Sequence, residues 1–267
     1  MTDLHLHTRF SHDSEETAEN YVLTAKARGY KSLGFTEHYD YDVFLDGGFN
    51  ECPLPDLSAY SQEISDLSAK YPEIKILKGI ELGYSAGATE KYKELLQSGN
   101  FDYAILSVHT VKGRGDCYYT RFFDGFSKKQ AYEAYFKAVL ESVRSDINYQ
   151  IAGHIGYIER YAPYKEKRVI YSEFGDVLDE ILKEIILRDK CLEINTSAKG
   201  TGHITVPDLE IIERYLSLGG KNFSLGSDAH SVSRFAENFT SVKDFLVSLG
   251  VTHTCLYEKG VLFKEKL

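Results

Sequence analysis

The amino-acid sequence predicts an α/β protein, a closed or nearly closed barrel of seven βα units, and three observations carry that expectation. Short apolar runs of strand length alternate with segments whose apolar residues recur at helical spacing, which makes a parallel sheet with right-handed crossovers. Composition does not break anywhere along residues 1–267, so the chain reads as one domain. Histidines and carboxylates fall at or just past the C-terminal ends of the apolar runs, the face on which such barrels carry their sites.

The first run is Asp3-Leu4-His5-Leu6-His7-Thr8. Side chains alternate along a strand, so His5 and His7 face one way and Leu4 and Leu6 the other. Two imidazoles aimed at one point make a metal the first candidate partner. Residues 17–30 carry Tyr21, Val22, Ala25 and Ala27 at helical spacing and end at Gly29. Residues 32–38 form the second strand, 57–70 a helix, 74–84 a strand, 89–97 a helix and 103–109 a strand. Residues 112–126 form a long aromatic loop, either a lid over a site or a packed surface loop. Helices at 128–144 and 172–188 precede strands at 149–156 and 191–196. Pro207 is expected to open a helix reaching 218, followed by a strand at 222–228, a helix near 236–249 and an apolar tail over 251–263.

The composition, 43% hydrophobic and 27% charged, is that of an ordinary globular protein, and no apolar run nears the ~20 residues that span a bilayer. The chain enters its first strand at once, which leaves no room for a secretion signal. Cys52, Cys117, Cys191 and Cys255 are scattered without a CxxC pair, so they read as reduced thiols of a cytoplasmic protein. A net charge of −9 argues against a nucleic-acid backbone as partner and leaves room for a small anionic substrate held by local cations. The run Gly113-Arg114-Gly115 matches neither a phosphate-binding loop nor a dinucleotide fingerprint.

Six of the nine histidines (His5, His7, His38, His109, His154, His230) join Glu81 and Asp228 at the predicted strand ends, too many ligands for one ion. Imidazole with carboxylate suits Zn, Mn or Fe, and a carboxylate bridging several ions is the natural arrangement. Glu37, of opposite parity to His38, is expected to orient a ligand or make a structural salt bridge, and Asp3 to support a His ring. His203 and His253 read as ordinary loop and tail histidines.

The ordered set DLHLHT at 3–8, GFTEH at 34–38, Glu81, SVH at 107–109, GHIG at 153–156 and SDAH at 227–230 resembles the polymerase and histidinol phosphatase (PHP) family. In length, and in lacking a polymerase domain, the chain is similar to its compact HisK-type branch. The resemblance implies a distorted seven-stranded (β/α)7 barrel, TIM-barrel-like, with three divalent or trivalent transition-metal ions on its C-terminal face. It assigns His5, His7, Glu81 and Asp228 to the first ion, Glu81, His109 and His154 to the second, and His38 and His230 to the third. The last ligand of the third ion is His12 or Asp13; Asp13, six residues after His7, is preferred because its spacing matches the histidinol-phosphatase branch.

A phosphate ester needs cations around its oxygens. Arg160 is the first candidate clamp, supported by an Arg in a similar segment of the compact branch; Lys199 is the second and Arg234 the third. The activity implied is hydrolysis of L-histidinol phosphate in histidine biosynthesis, by in-line attack of a metal-bridging hydroxide, with Glu81, Asp228 and Arg160 carrying the chemistry. Glu193 or Asp42 near the mouth would suit the cationic substrate. The alternatives are a PHP phosphoesterase acting on another small phosphate ester or nucleotide, an amidohydrolase-type hydrolase, and a non-enzymatic metal-binding module. The amidohydrolase lacks support in any strand-four lysine, and the complete ligand set speaks against the binding module. Neither a membrane nor a nucleic acid is expected as partner.

Overall fold

A computed structural model describes residues 1–41, 53–198 and 200–267. Asp42, Cys52 and Lys199 therefore lie outside the described residues. Six parallel strands form one curled sheet in the order β1 (Ser32–Tyr39), β2 (Lys75–Gly83), β3 (Tyr103–Ser107), β6 (Ile151–Ala152), β7 (Cys191–Asn195) and β8 (Phe223–Gly226). Between β3 and β6 the chain makes a two-residue hairpin of β4 (Thr110–Val111) and β5 (Gly115–Asp116). The register of β1 on β2 sets His38 opposite Glu81.

The helices start and stop where their caps require. Thr17 accepts the Asn20 N–H ahead of α1 (Ala18–Ala27), and Gly29, at φ +78°, ends it in the left-handed conformation that glycine tolerates. Asp56 caps α2 (Leu57–Lys70) and a Ser127–Gln130 capping box opens α4 (Lys128–Arg144). The remaining helices are α3 (Thr89–Ser98), α5 (Tyr171–Leu187), α6 (Leu209–Ser217) and α7 (Phe239–Ser248). Pro207 does not occupy the first turn of α6; Asp208 is the N-cap, its carboxylate accepting the Leu209 N–H. A capping carboxylate satisfies a free N–H, which proline only avoids presenting. None of the described helices is long and apolar enough to cross a membrane.

Residues 3–8 depart from the expected regular strand. They lie between β1 and β8, with Gly34 and Thr36 donating N–H to the carbonyls of Asp3 and Leu6 at 2.8 and 2.9 Å. Leu4 and His7 donate to Leu225 and Ala229 on the other side. Partners two residues apart on β1 thus meet residues three apart here, the geometry of a bulge. The barrel is closed by this distorted seventh segment.

The apolar tail is also a hairpin, β9 (His253–Glu258) paired with β10 (Val261–Lys266). Cys255, Leu256 and Tyr257 pack on Leu4, Leu77, Tyr103, Ile105, Ile151 and Cys191 inside the barrel. Gly260 N–H donates to Asp102 O and Tyr257 Oη–H to Gln150 O. Those partners precede β3 and β6, so the hairpin covers the N-terminal end of the barrel and leaves the C-terminal end open.

Candidate metal centre

At the open end, a cavity of about 770 Å³ exposes His12, Asp13, His38, His109, His154 and Asp228 among its lining residues. The bulged segment brings His5 and His7 there with their rings 5.0 Å apart and tilted by 51°, so the two imidazoles converge rather than stand parallel. Glu81, fully buried on β2, lies at the centre. Its Oε2 is 3.3 Å from His5 Nε2, 3.5 Å from His7 Nε2 and 2.9 Å from His38 Nδ1. Its Oε1 faces the other way, 3.0 Å from His154 Nε2 and 3.3 Å from His109 Nε2. Asp228 Oδ1 stands 3.3 Å from His7 Nε2 and 3.7 Å from His5 Nε2. At the rim, Asp13 Oδ2 is 3.1 Å from His230 Nε2 and 3.6 Å from His38 Nε2. His12 also rims the cavity, its ring 5.5 Å from that of His38.

Most of the deep imidazoles are held from behind. His5 Nδ1–H donates to Glu193 Oε1 at 2.5 Å, while Glu193 Oε2 accepts the His154 backbone N–H at 2.7 Å. Ser11 gives its hydroxyl proton to Glu37, so it accepts from His7 Nδ1–H at 3.1 Å. His109 Nδ1–H donates to Asp40 Oδ1 at 2.9 Å. In each case the Nδ1 hydrogen bond turns Nε2 into the site, the arrangement that orients a histidine for a metal. Two glycines make room for these anchors. A Cβ at Gly226 would come within 2.4 Å of Glu193 Oε1, and one at Gly83 would overlap the Asp40 carboxylate.

The charges are tuned together. Burial opposes charge on His5, yet the carboxylates of Glu193, Glu81 and Asp228 hold its pKa well above the ordinary histidine value. Burial would likewise raise Glu81 and Asp228, but the surrounding imidazoles, and Arg160 for Asp228, hold both well below the usual carboxylate range. His7, buried and beside His38 and His230, goes down. The pocket therefore keeps its carboxylates ionised and favours cations. His5 Nε2, His7 Nε2, His38 Nδ1, His230 Nε2 and Glu81 Oε2 are buried without hydrogen-bond partners. With their neighbours they make four overlapping donor sets: His5, His7 and Glu81; His5, His154 and Asp228; His38, Glu81 and His109; His7, His38 and His230. Donor atoms within each set lie within 4.8 Å of one another, and imidazole with carboxylate is a donor set that fits transition metals.

Several residues take places the sequence reading did not give them. Glu193 is buried behind His5 rather than at the mouth, because β7 turns it inward. Asp3 supports no His ring; its carboxylate accepts from Ser227 and the Ala236 N–H, tying two loops together. Glu37 acts at one remove, through Ser11, on His7. Arg160 lines the cavity but is already engaged, donating to Asp228 Oδ2 and Asn195 Oδ1 at 2.8 Å each; its Nε has no partner. Arg234 lines the cavity while paired with Glu237. His203 lies between Glu159 and Asp208, 3.7 and 3.4 Å away, in a buried polar cluster, not in a plain loop. His253 is at the start of β9. Residues 112–126 are neither a free lid nor a plain surface loop: Cys117, Phe122 and Phe123 are buried while Tyr118 and Tyr119 form a cavity wall. Asp40, Ser107, which donates to Glu81 Oε1 at 2.6 Å, and Asn195 were not singled out. Parity was the available signal, since Asp40 follows His38, and Ser107 precedes His109, by two residues.

Residues 3–197 match the PHP domain. The chain is 33% identical to the probable histidinol-phosphatase of Clostridium acetobutylicum over 99% of this chain and 97% of the relative. It is 34% identical to the histidinol-phosphatase of Lactococcus lactis over 87% of this chain and 85% of the relative. Among solved structures it resembles histidinol phosphate phosphatase from Lactococcus lactis, crystallised with zinc, L-histidinol and phosphate, with a TM-score of 0.88 and 30% identity over 98% of each chain. The putative histidinol phosphatase from Listeria monocytogenes shares the fold, with a TM-score of 0.80 and 22% identity over 90% of this chain and 99% of the other.

Proposed function

The chain belongs to the PHP family, and from that premise we propose that it is a metal-dependent phosphatase that hydrolyses L-histidinol phosphate to L-histidinol and phosphate in histidine biosynthesis. The observation that carries the chemistry is Glu81, a buried carboxylate whose two oxygens face separate groups of imidazoles. Full-length similarity to a relative that holds zinc, L-histidinol and phosphate supports the substrate.

We assign His5, His7, Glu81 and Asp228 to a first ion, Glu81, His109 and His154 to a second, and Asp13, His38 and His230 to a third, as zinc, manganese or iron. Such ions lower the pKa of water toward ~7 and neutralise phosphoryl oxygens. The chain's own part is orientation. Glu193, Ser11 and Asp40 fix three imidazoles, and Asp228 and Asn195 hold the Arg160 guanidinium in the cavity wall, where its charge would neutralise a phosphoryl oxygen. Arg234 is the second cation on that wall, and Lys199 belongs to the same stretch of sequence as Ser197 and Gly200, which line it. Tyr157 and Tyr161 offer flat walls to an imidazole ring, and Asp116 offers a carboxylate to a cationic substrate. Residues 1–267 are read as one cytoplasmic metallophosphoesterase domain, with Cys117, Cys191 and Cys255 as free thiols.

The test is hydrolysis by purified, metal-replete protein of histidinol phosphate beside nucleotides, phosphotyrosine and an aryl phosphate. A clear preference in kcat/KM for histidinol phosphate is expected. Comparable rates on all would overturn the substrate and keep the chemistry; no hydrolysis of any would overturn the phosphatase.

A further inference from the structure

At the opposite end of the barrel, two cysteines 64 positions apart in sequence meet. Cys191 begins β7, and Cys255 lies on β9 of the hairpin that covers the barrel floor. Both are buried in one cluster with Tyr257, which lies two residues beyond Cys255 on the same face of β9. Tyr257 Oη stands 3.3 Å from Cys191 Sγ, and Cys255 Sγ–H reaches Asn222 Oδ1 at 3.9 Å. A separate groove of about 220 Å³, flanked by Lys221, His253 and Lys264, has Cys255 in its lining. We propose that Cys191 and Cys255 form a redox-active pair that takes a small hydroperoxide and closes to a disulfide between the hairpin and β7.

Cys255 is the attacking sulfur. It borders the groove, and the neighbouring Cys191 thiol, aided by the Phe223 N–H and the Lys264 charge, draws its thiol below the ordinary value against its burial. Burial pushes Cys191 up. Cys255 sulfur attacks one oxygen of hydrogen peroxide, the O–O bond breaks, the proton given up by the thiol passes to the leaving oxygen, and a sulfenic acid and one water result. Cys191 sulfur then attacks the sulfenic sulfur; the S–S bond forms, the S–O bond breaks, and the second water leaves with the Cys191 proton. Two thiols are oxidised and one peroxide is reduced to two waters. The bond would tie the floor to the strand that holds Glu193 two residues farther on.

Zinc-loaded full-length protein is treated with stoichiometric hydrogen peroxide and read by intact mass and peptide mapping. The chain should lose two hydrogen masses, yield a dithiothreitol-reducible peptide joining Cys191 to Cys255, and leave Cys52 and Cys117 open to alkylation. Cys191→Ala should instead trap a dimedone-reactive sulfenic acid on Cys255, and Cys255→Ala should leave Cys191 reduced. A crosslink mapping to Cys52 or Cys117 would overturn the proposal. So would retention of both thiols at a dose that oxidises free glutathione. The wild-type map decides the matter even where a variant does not fold.

Discussion

The deep and rim halves of the metal centre are built differently. His5, His7 and His109 are buried and each is gripped through Nδ1 by a residue that lies behind it. At the rim, the Asp13 side chain is 43% exposed and that of His230 31%, and the two meet at 3.1 Å. On its other side His230 Nδ1 meets the Asp228 carbonyl at 3.1 Å, and its ring stacks on His7. Stiffness of this kind is inherited from packing. The deep half should hold ions in a fixed geometry, and the rim half should exchange them.

The sharpest way to break this contrast is Glu81→Gln, which removes half of a bridge that both deep groups share. It should cost two ions by metal analysis and lower turnover at least about 10³-fold, because each ion supplies several kcal/mol. Next comes Glu193→Gln, which touches no proposed ion; metal affinity should fall about 10- to 100-fold. Gly226→Ala should reproduce that loss by displacing Glu193, and wild-type affinity in Gly226→Ala would show that the grip on His5 is unimportant. At the rim, Asp13→Ala should lose one ion and His12→Ala none; a missing ion only in His12→Ala would reverse the choice between the two neighbours. Dialysis against a weak chelator should remove a single ion before the other two, and simultaneous loss of all three would erase the distinction.

The smallest effect is at His203, outside the centre. The Glu159 carboxylate, 3.7 Å from its Nε2, aided by Asp208 and opposed by burial and by Arg168, raises its pKa. A histidine whose folded pKa is raised contributes most below its unfolded value of about 6.5 and loses that contribution as pH rises through the folded value. His203→Gln should therefore melt a few degrees lower than wild type near about pH 5.5 and draw level at alkaline pH. A gap that is constant with pH would mean that the imidazole is only packed.

The order of strands and helices, and the residues that gather round Glu81, were legible because period-two and helical patterns are local and because barrel strand ends converge whatever fills the core. Residues that act across strands were not. Glu193 reads as a charge in an apolar run until β7 is seen beside His5, and Cys191 and Cys255 carry no spacing signal because only the hairpin's return brings them together. Arg160 was legible as a cation near the site but not as one already shared between Asp228 and Asn195. Pro207 shows the converse: a sound local rule gave way to the better cap beside it.

The extra residue in segment 3–8 sets regular pairing and ligand placement against each other. Removing one residue between Asp3 and Leu6 would let this segment pair evenly with β1 and would turn one imidazole away from Glu81. The chain would gain a better strand and lose a ligand. Selection for stability alone should therefore favour such deletions, and a library sorted first for folding and then for metal content should find the two demands in conflict here before anywhere else in the sheet.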